Sequence, residues 1–380
     1  TDASFYRLIP KIIVKVETEA ETTAVLAACR AFQVAVTFRA AGTSLSGQAV
    51  SDSVLMVLGP EGWRDYHISP DLGEITLGAG ILGAEANGYL APHGKKIGPD
   101  PASVNSAKIG GIVSNNACGM ASGVEDNSMG TVTGMRIIFS DGTVLDTRDE
   151  ESRNAFIKNR ADIIDRVAGL ARDLKDDPET MARIRRKYQI KNTTGYSVNA
   201  LINYDDPIDM IQHLMIGAEG TLGFIAEVTF RTLDEPKNKA TALMLFPDIA
   251  RACEAVWLLK ECRVSAAELM DRAALRSVED KPGMPPYIKT LAGSVTALLV
   301  ETAAADPESL QGEIEAINSK FDGFAMARKF EFSTDPDQAA ALWNIRKGLF
   351  PSACIGRQKG PTVIIEDIAV PIEHLRDCLL

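Results

Sequence analysis

The sequence has no paired cysteines. Cys29, Cys118, Cys253, Cys262, Cys354 and Cys378 stand apart with no C-x-x-C spacing, which argues against a disulfide framework and against a zinc or iron–sulfur site in this chain. Buried, reduced thiols are the expected reading. Histidine is as scarce, with His67, His93, His213 and His374 the whole supply and no two close together, so a metal site is not expected either. No apolar run approaches the ~18 residues that span a bilayer, and the opening TDASFYRLIP lacks the basic and apolar regions of a signal peptide. A soluble, cytoplasmic protein without a transmembrane segment is expected, at most peripheral on the inner membrane. Positive charge is in deficit: 40 Lys and Arg against 51 Asp and Glu give −11. Nucleic acid is therefore not an expected partner, and a small molecule is. Internal repeats and low-complexity stretches are absent as well.

What is present is ordinary globular material: 380 residues, 46% hydrophobic, enough for two or three cores. The run PKIIVKV (10–16) reads as a strand, and Thr18 with Glu21 forms a capping box ahead of a helical pattern. VAVTF (34–38) is a second strand that opens into RAAGTSLSGQ (39–48), too small and polar for core. Further strands are expected at 54–58, 74–77, 134–139 and 143–146. A charged helical insertion is expected at 152–187, followed by the strand FIAEVTFR at 224–231. The polar TLDEPKNK (232–239) marks a boundary. Beyond it the order is strand 241–246, helix 248–262, strand 265–270, helix 271–279, strand 295–301, helix 306–319 and strand 323–330. Two such β-α-β units suggest a ferredoxin-like sheet with helices on one face. The expected class is α+β, with domains at 1–235 and 240–380.

Gly78-Ala-Gly-Ile-Leu-Gly83, followed about twenty residues later by Asp100, has the form of a dinucleotide fingerprint. A Rossmann unit needs a full crossover helix and then a buried parallel strand before the acid. Here Asn87-Gly88 interrupts the helix and APHGKKIGPDP supplies no strand, so the motif reads as a turn. Three other stretches carry more. FRAAGTSLSGQ presents successive amides for a phosphate or pyrophosphate. In IGPDPASVNSAKIGGIVSNNACG (97–119), Gly110-Gly111 permits close backbone approach to a planar ring, and Ser103, Ser106, Asn115 and Asn116 can bond a ribityl chain. IGAEGTLGFIAEVTF (216–230) is a glycine-punctuated turn into a buried strand.

In this order and spacing the three stretches resemble the FAD-binding domain of the vanillyl-alcohol oxidase and p-cresol methylhydroxylase type. YQIKNTTGYSVNAL, DDPIDMIQHLMIGAEGTLGFI and LWNIRKGLFPSA are similar to the FAD-linked D-lactate dehydrogenases of bacteria that carry a C-terminal iron–sulfur region. The resemblance implies a two-subdomain FAD-binding domain and an α+β cap of ferredoxin-like type, C-terminally incomplete here. It implies that Arg39, Gly42, Thr43, Ser44, Leu45, Ser46, Gly47 and Gln48 wrap the FAD pyrophosphate. Pro99, Asp100, Ser103, Ser106, Gly110, Gly111, Asn115 and Gly119 would line the ring and ribityl chain, and Gly130, Val132, Glu219, Gly220 and Ile225 would complete the site. Relatives with covalent flavin commonly carry histidine where Thr43 stands, so FAD is expected to be non-covalent. Arg346 matches the arginine that meets the substrate carboxylate, a role suited to a planar charged fork.

The activity implied is oxidation of a D-2-hydroxy acid by hydride transfer to flavin N5, D-lactate first and D-2-hydroxyglutarate second. Electrons would pass to a quinone, cytochrome or iron–sulfur protein. A flavin-binding fragment without turnover, and a pyridine-nucleotide reductase of the same fold, are the alternatives. In the resembling family the catalytic histidine and a divalent-metal site lie in a His-rich stretch downstream of EDIAVP, and the iron–sulfur cluster lies further on. None of these is found before Leu380. The chain is accordingly expected to be a segment of a longer enzyme, holding the flavin domain and most of the cap.

Overall fold

The computed structural model describes residues 1–280, 284–347 and 369–380. The chain divides into two units, Thr1–Asp234 and Glu235–Leu380.

The first unit is built on two main sheets. β1 (Ile12–Val16), β2 (Val36–Arg39) and β3 (Val54–Leu58) form a parallel sheet in the order β1-β3-β2. β4 (Tyr66–Ile68) and β5 (Glu74–Gly78) belong to a five-stranded antiparallel sheet. β6 (Lys95–Lys96) stands outside it, and β7 (Val132–Ile138), β8 (Val144–Asp146) and β9 (Phe224–Arg231) complete it in the order β4-β5-β9-β7-β8. β10 (Leu233–Asp234) closes the unit by pairing with β6.

The helix Glu19–Ala31 starts where its sequence says, since the Thr18 side chain accepts from Glu21 N. It lays Leu26 on the parallel sheet with Val16, Met56 and Leu58. The expected insertion is three helices, Glu150–Asn159, Ala161–Lys175 and Pro178–Lys187, which bury Phe156, Val167, Ala171 and Ile184. Ile163, Ile164 and Leu174 pack half-buried beside them, and the charged residues of each helix face outward.

The Gly78–Gly83 motif ends β5 and opens the helix Gly83–Leu90. β5 pairs only antiparallel neighbours, so no Rossmann crossover exists here. Its glycines meet protein: a Cβ at 80 would lie 3.0 Å from Trp63 Cβ, and one at 83 would lie 2.8 Å from Val104 Cγ2.

The second unit holds β11 (Asn238–Phe246), β12 (Ala266–Met270) and β13 (Thr296–Ala304), antiparallel, with β13 in the centre. The helices Ile249–Leu259 and Pro307–Lys320 cover one face through Ala252, Ala255, Leu259 and Ile317. The other face is also covered, by Leu275, Ile288 and Trp343, which corrects the expectation of helices on one face alone.

A fourth strand at 323–330 does not form. That segment touches β11 in one isolated bridge, Leu245 with Arg328, and the residues just after it in a second, Thr241 with Ser333. From one bridge to the other the chain advances four positions on β11 and five on the facing segment. The extra residue puts the two bridges out of step, as at a bulge, where a ladder is locally disrupted. Phe324, Met326, Phe330 and Phe332 pack against the core on one face of the sheet, while the Arg328 guanidinium sits 4.2 Å over the Tyr287 ring.

Candidate cofactor site

Three loops meet in the first unit. The first leaves β2 and reaches β3 fourteen residues later. Arg39 ends β2 and turns back on this loop, its Nε donating to Ala49 O at 2.8 Å and its Nη2 reaching the same oxygen. Gly42 and Gly47 hold φ of 73° and 81°, which a Cβ would strain. Among the described residues the amides of Thr43, Ser44, Leu45, Gly47 and Gln48 donate to no acceptor, and that of Ser46 reaches only Ser44 Oγ at 3.3 Å. Successive open amides in a positive-φ turn make a concavity for an anion. A pyrophosphate fits that donor set.

The second loop surrounds the short helix Ile109–Asn115. Much of it is spent on the protein itself. The Asp100 carboxylate accepts from the N–H groups of Gly119, Ala121 and Ser122 at 2.8, 2.9 and 3.2 Å, and a Cβ at 119 would run into Asp100 O. Gly110 N donates to Ala79 O at 3.0 Å, and Gly111 faces Ala40. Pro99 is buried, while Ser103 O accepts from Ser106 N at 2.8 Å and Ala107 N at 2.7 Å. Two of its polar side chains reach beyond it: Asn116 Nδ2 donates to Asn192 O at 3.5 Å, and Asn115 Nδ2 binds a carboxylate.

The carboxylate that Asn115 meets is Glu219, in the third loop, where Gly217, Glu219 and Gly220 all have positive φ. Such a φ is uncommon outside glycine. Glu219 Oε1 accepts from Asn115 Nδ2 at 2.7 Å and from Gln48 Nε2 at 3.3 Å, while its N–H donates to Ser114 O at 2.8 Å. One carboxylate thus ties all three loops. Burial pushes its pKa up, against which the Asn115 and Gln48 amides pull down. Gly130 sits in the turn Ser128–Thr131 with its N–H on Asn127 Oδ1 at 3.1 Å, and Val132 and Ile225 are buried where β7 and β9 pass beneath.

Two groups of residues drawn in by the fold had no sequence assignment. Tyr196 Oη lies 2.8 Å from Thr221 Oγ1, and Tyr188 Oη donates to Tyr196 O at 2.9 Å; the quoted NTTGYS run was the only signal. The other group is Asp2–Tyr6, described below, for which no sequence pattern gave notice. Cys118 bonds Asn116 O at 3.1 Å, and burial raises its thiol pKa, so it is a neutral thiol rather than a nucleophile. His213 is also committed to packing: Nδ1 lies 2.8 Å from Asp209 O and the ring stacks on Tyr204 at 3.9 Å. Among the described residues no cluster of His, Cys, Asp and Glu can hold a metal, and no helix is long and apolar enough to cross a membrane. Arg346 lies in the helix Pro336–Lys347, but its side chain is outside the described residues.

Residues 10–148 match the family described as FAD binding domain, and residues 235–379 match FAD linked oxidases, C-terminal domain. The chain carries the two domains of an FAD-linked oxidase. The matched FAD binding domain spans the first and second loops, and the two sheets of this unit are those of the p-cresol methylhydroxylase type. A D-2-hydroxyglutarate dehydrogenase of Pantoea ananatis is 26% identical over 100% of this chain and 39% of its own length. A mitochondrial D-lactate dehydrogenase [cytochrome] of Arabidopsis thaliana is 24% identical over 98% of this chain and 55% of its own. The glycolate oxidase subunit GlcD of Bacillus subtilis is 23% identical over 96% and 66%. Among solved structures, an alkyldihydroxyacetonephosphate synthase superposes with a TM-score of 0.62 at 16% identity, covering 90% of this chain and 56% of that one. That last likeness bears on the fold alone. The chain spans 39% of the Pantoea relative and 38% of its Escherichia coli counterpart.

Proposed function

We propose that the chain is the flavin and cap portion of an FAD-dependent dehydrogenase of D-2-hydroxy acids. The observation that carries this reading is the run of open amides at 43–48, which lies within the matched FAD binding domain and is tied through Gln48 and Asn115 to Glu219 of the third loop. Arg39 and Gly42 to Gln48 would hold the pyrophosphate by backbone donors, which leaves no need for a covalent link at Thr43. Pro99, Ser103, Ser106, Gly110, Gly111, Asn115, Gly119, Gly130, Val132, Gly220 and Ile225 would form or support the walls for the rest of the cofactor. Asp100 would act by fixing the 119–122 turn. Bound FAD would supply the two-electron acceptor, which no side chain can provide. Arg346 would bind the substrate carboxylate with its bidentate fork.

Relatives named for D-2-hydroxyglutarate are 26% and 25% identical, against 24% for one named for D-lactate. The longer dicarboxylate therefore stands ahead of D-lactate as substrate. The test is anaerobic: the protein is loaded with FAD and mixed in turn with the D and L forms of 2-hydroxyglutarate and lactate, and with NADPH. Bleaching of the flavin band by a D-hydroxy acid supports the reading. Bleaching by NADPH alone overturns it in favour of a reductase, and failure to take up FAD overturns the flavin site.

A further inference from the structure

The segment Asp2–Tyr6 lies along the loop Gly42–Gly47. Ala3 N donates to Gly42 O at 3.0 Å, a Cβ at 42 would stand 3.7 Å from Asp2 Cβ, and one at 47 would stand 2.7 Å from Tyr6 Cδ2. Asp2 is the polar centre of this strap. Its Oδ1 accepts from Ser4 N at 2.9 Å and from Ser4 Oγ at 2.5 Å, with Ser4 buried. Its Oδ2 is also buried and has no donor among the described residues. Arg39, the neighbouring cation, has its Nε and Nη2 on Ala49 O. A buried carboxylate oxygen without a donor is among the more expensive features a fold can keep.

The missing partner has a definable chemistry. It must donate a hydrogen bond, carry no negative charge and lie beside the amides of residues 43–48. Phosphate oxygens fail the first two conditions, whereas a sugar hydroxyl next to a pyrophosphate meets all three. Carboxylates recognise ribose hydroxyls in this way at other dinucleotide sites. We propose that Asp2 Oδ2 accepts from a hydroxyl flanking the FAD pyrophosphate, so that the strap Asp2–Tyr6 is a further wall of the cofactor site. This rests on the loop 42–48 holding the pyrophosphate. The hydroxyl belongs either to the adenosine ribose or to the ribityl chain, and ADP and FMN each carry only one of these.

The experiment compares wild type, Asp2→Ala, Asp2→Asn and Ser4→Ala, all as the full chain. Dissociation constants for FAD, ADP and FMN are measured by fluorescence and calorimetry, with the thermal midpoint of each variant alongside. Asp2→Ala should weaken FAD about tenfold or more and weaken one of ADP and FMN in parallel while sparing the other. Asp2→Asn, which can still donate to a hydroxyl, should lose less. Ser4→Ala, which keeps the backbone bond to Oδ1 but removes the Ser4 Oγ bonds to Asp2 Oδ1 and Tyr6 N within the strap, should stay within about threefold of wild type, and it separates strap packing from cofactor contact should Asp2→Ala fold poorly. FAD binding by Asp2→Ala within twofold of wild type overturns the proposal. So does an equal loss for FAD, ADP and FMN matched by Ser4→Ala, which would make the strap a support and nothing more. If wild type itself binds none of the three, the flavin reading falls and this inference with it; if wild type binds and only the variant comparison fails, the flavin reading stands.

Discussion

Glu219 is a carboxyl held above its usual range by burial while two amides bond the same oxygen. Because its pKa is raised in the folded chain, the native state holds its proton to higher pH than the unfolded state does. The stability it contributes is therefore full below the ordinary carboxylate range and is lost as pH rises through the folded value. Glu219→Gln removes that loss and keeps an oxygen for Asn115. In urea titrations this variant should be more stable than wild type at pH 7, with the difference shrinking as pH falls toward the unshifted carboxylate value of 4.5. A difference that grows on acidification would contradict the assignment of burial as the cause. Gly42 gives a harsher test. A glutamate there faces both a φ of 73° and a negative charge beside the open amides. Gly42→Glu should purify without flavin, and full flavin content would remove the loop from the site. Thr43 offers no atom for a flavin link, so acid precipitation of the loaded protein should leave the yellow colour in the supernatant.

β9 was legible in the sequence residue for residue, because FIAEVTFR is long, β-branched and bounded by glycine on one side. The Thr18 cap was legible too, since its signal is local. What failed to read was non-local. The run 323–330 has strand composition, yet it meets β11 only at the isolated Leu245–Arg328 bridge, and no window of sequence records what stands opposite. At Gly110 and Gly119 a Cβ would meet Ala79 and Asp100, contacts between distant positions that the sequence does not announce. The convergence on Glu219 was legible only in part: the loops were identified, but the bonds that join them connect positions 104 and 171 residues apart. In the second unit, β13 is the strand on which both faces depend. Leu298, fully buried against Met244, Phe246 and Ile317, should when cut to alanine destabilise this unit by about 2–5 kcal/mol, read as a lower urea midpoint. With every residue of the amide loop in the other unit, the FAD dissociation constant of Leu298→Ala should stay near that of wild type in the absence of urea.

The molecule as a whole should answer to its cofactor by mass action. A ligand at a hundred times its dissociation constant adds about 2.7 kcal/mol to the folded state. Titrating FAD into the chain should therefore raise the thermal midpoint progressively, and D-2-hydroxy acids without FAD should not. The order of the parallel sheet carries a further consequence, for the sequence of assembly. β3 is the middle strand, and β1 and β2 each pair with it and not with each other. A chain growing from its N-terminus lays down both outer strands before the strand that joins them exists. The amide loop lies between β2 and β3, so it is fixed at both ends only after β3 has been made and inserted. The cofactor cradle is thus completed only after β3 has been synthesised, and nascent chains that stop short of β3 should not retain FAD, whereas chains extended through the first unit should.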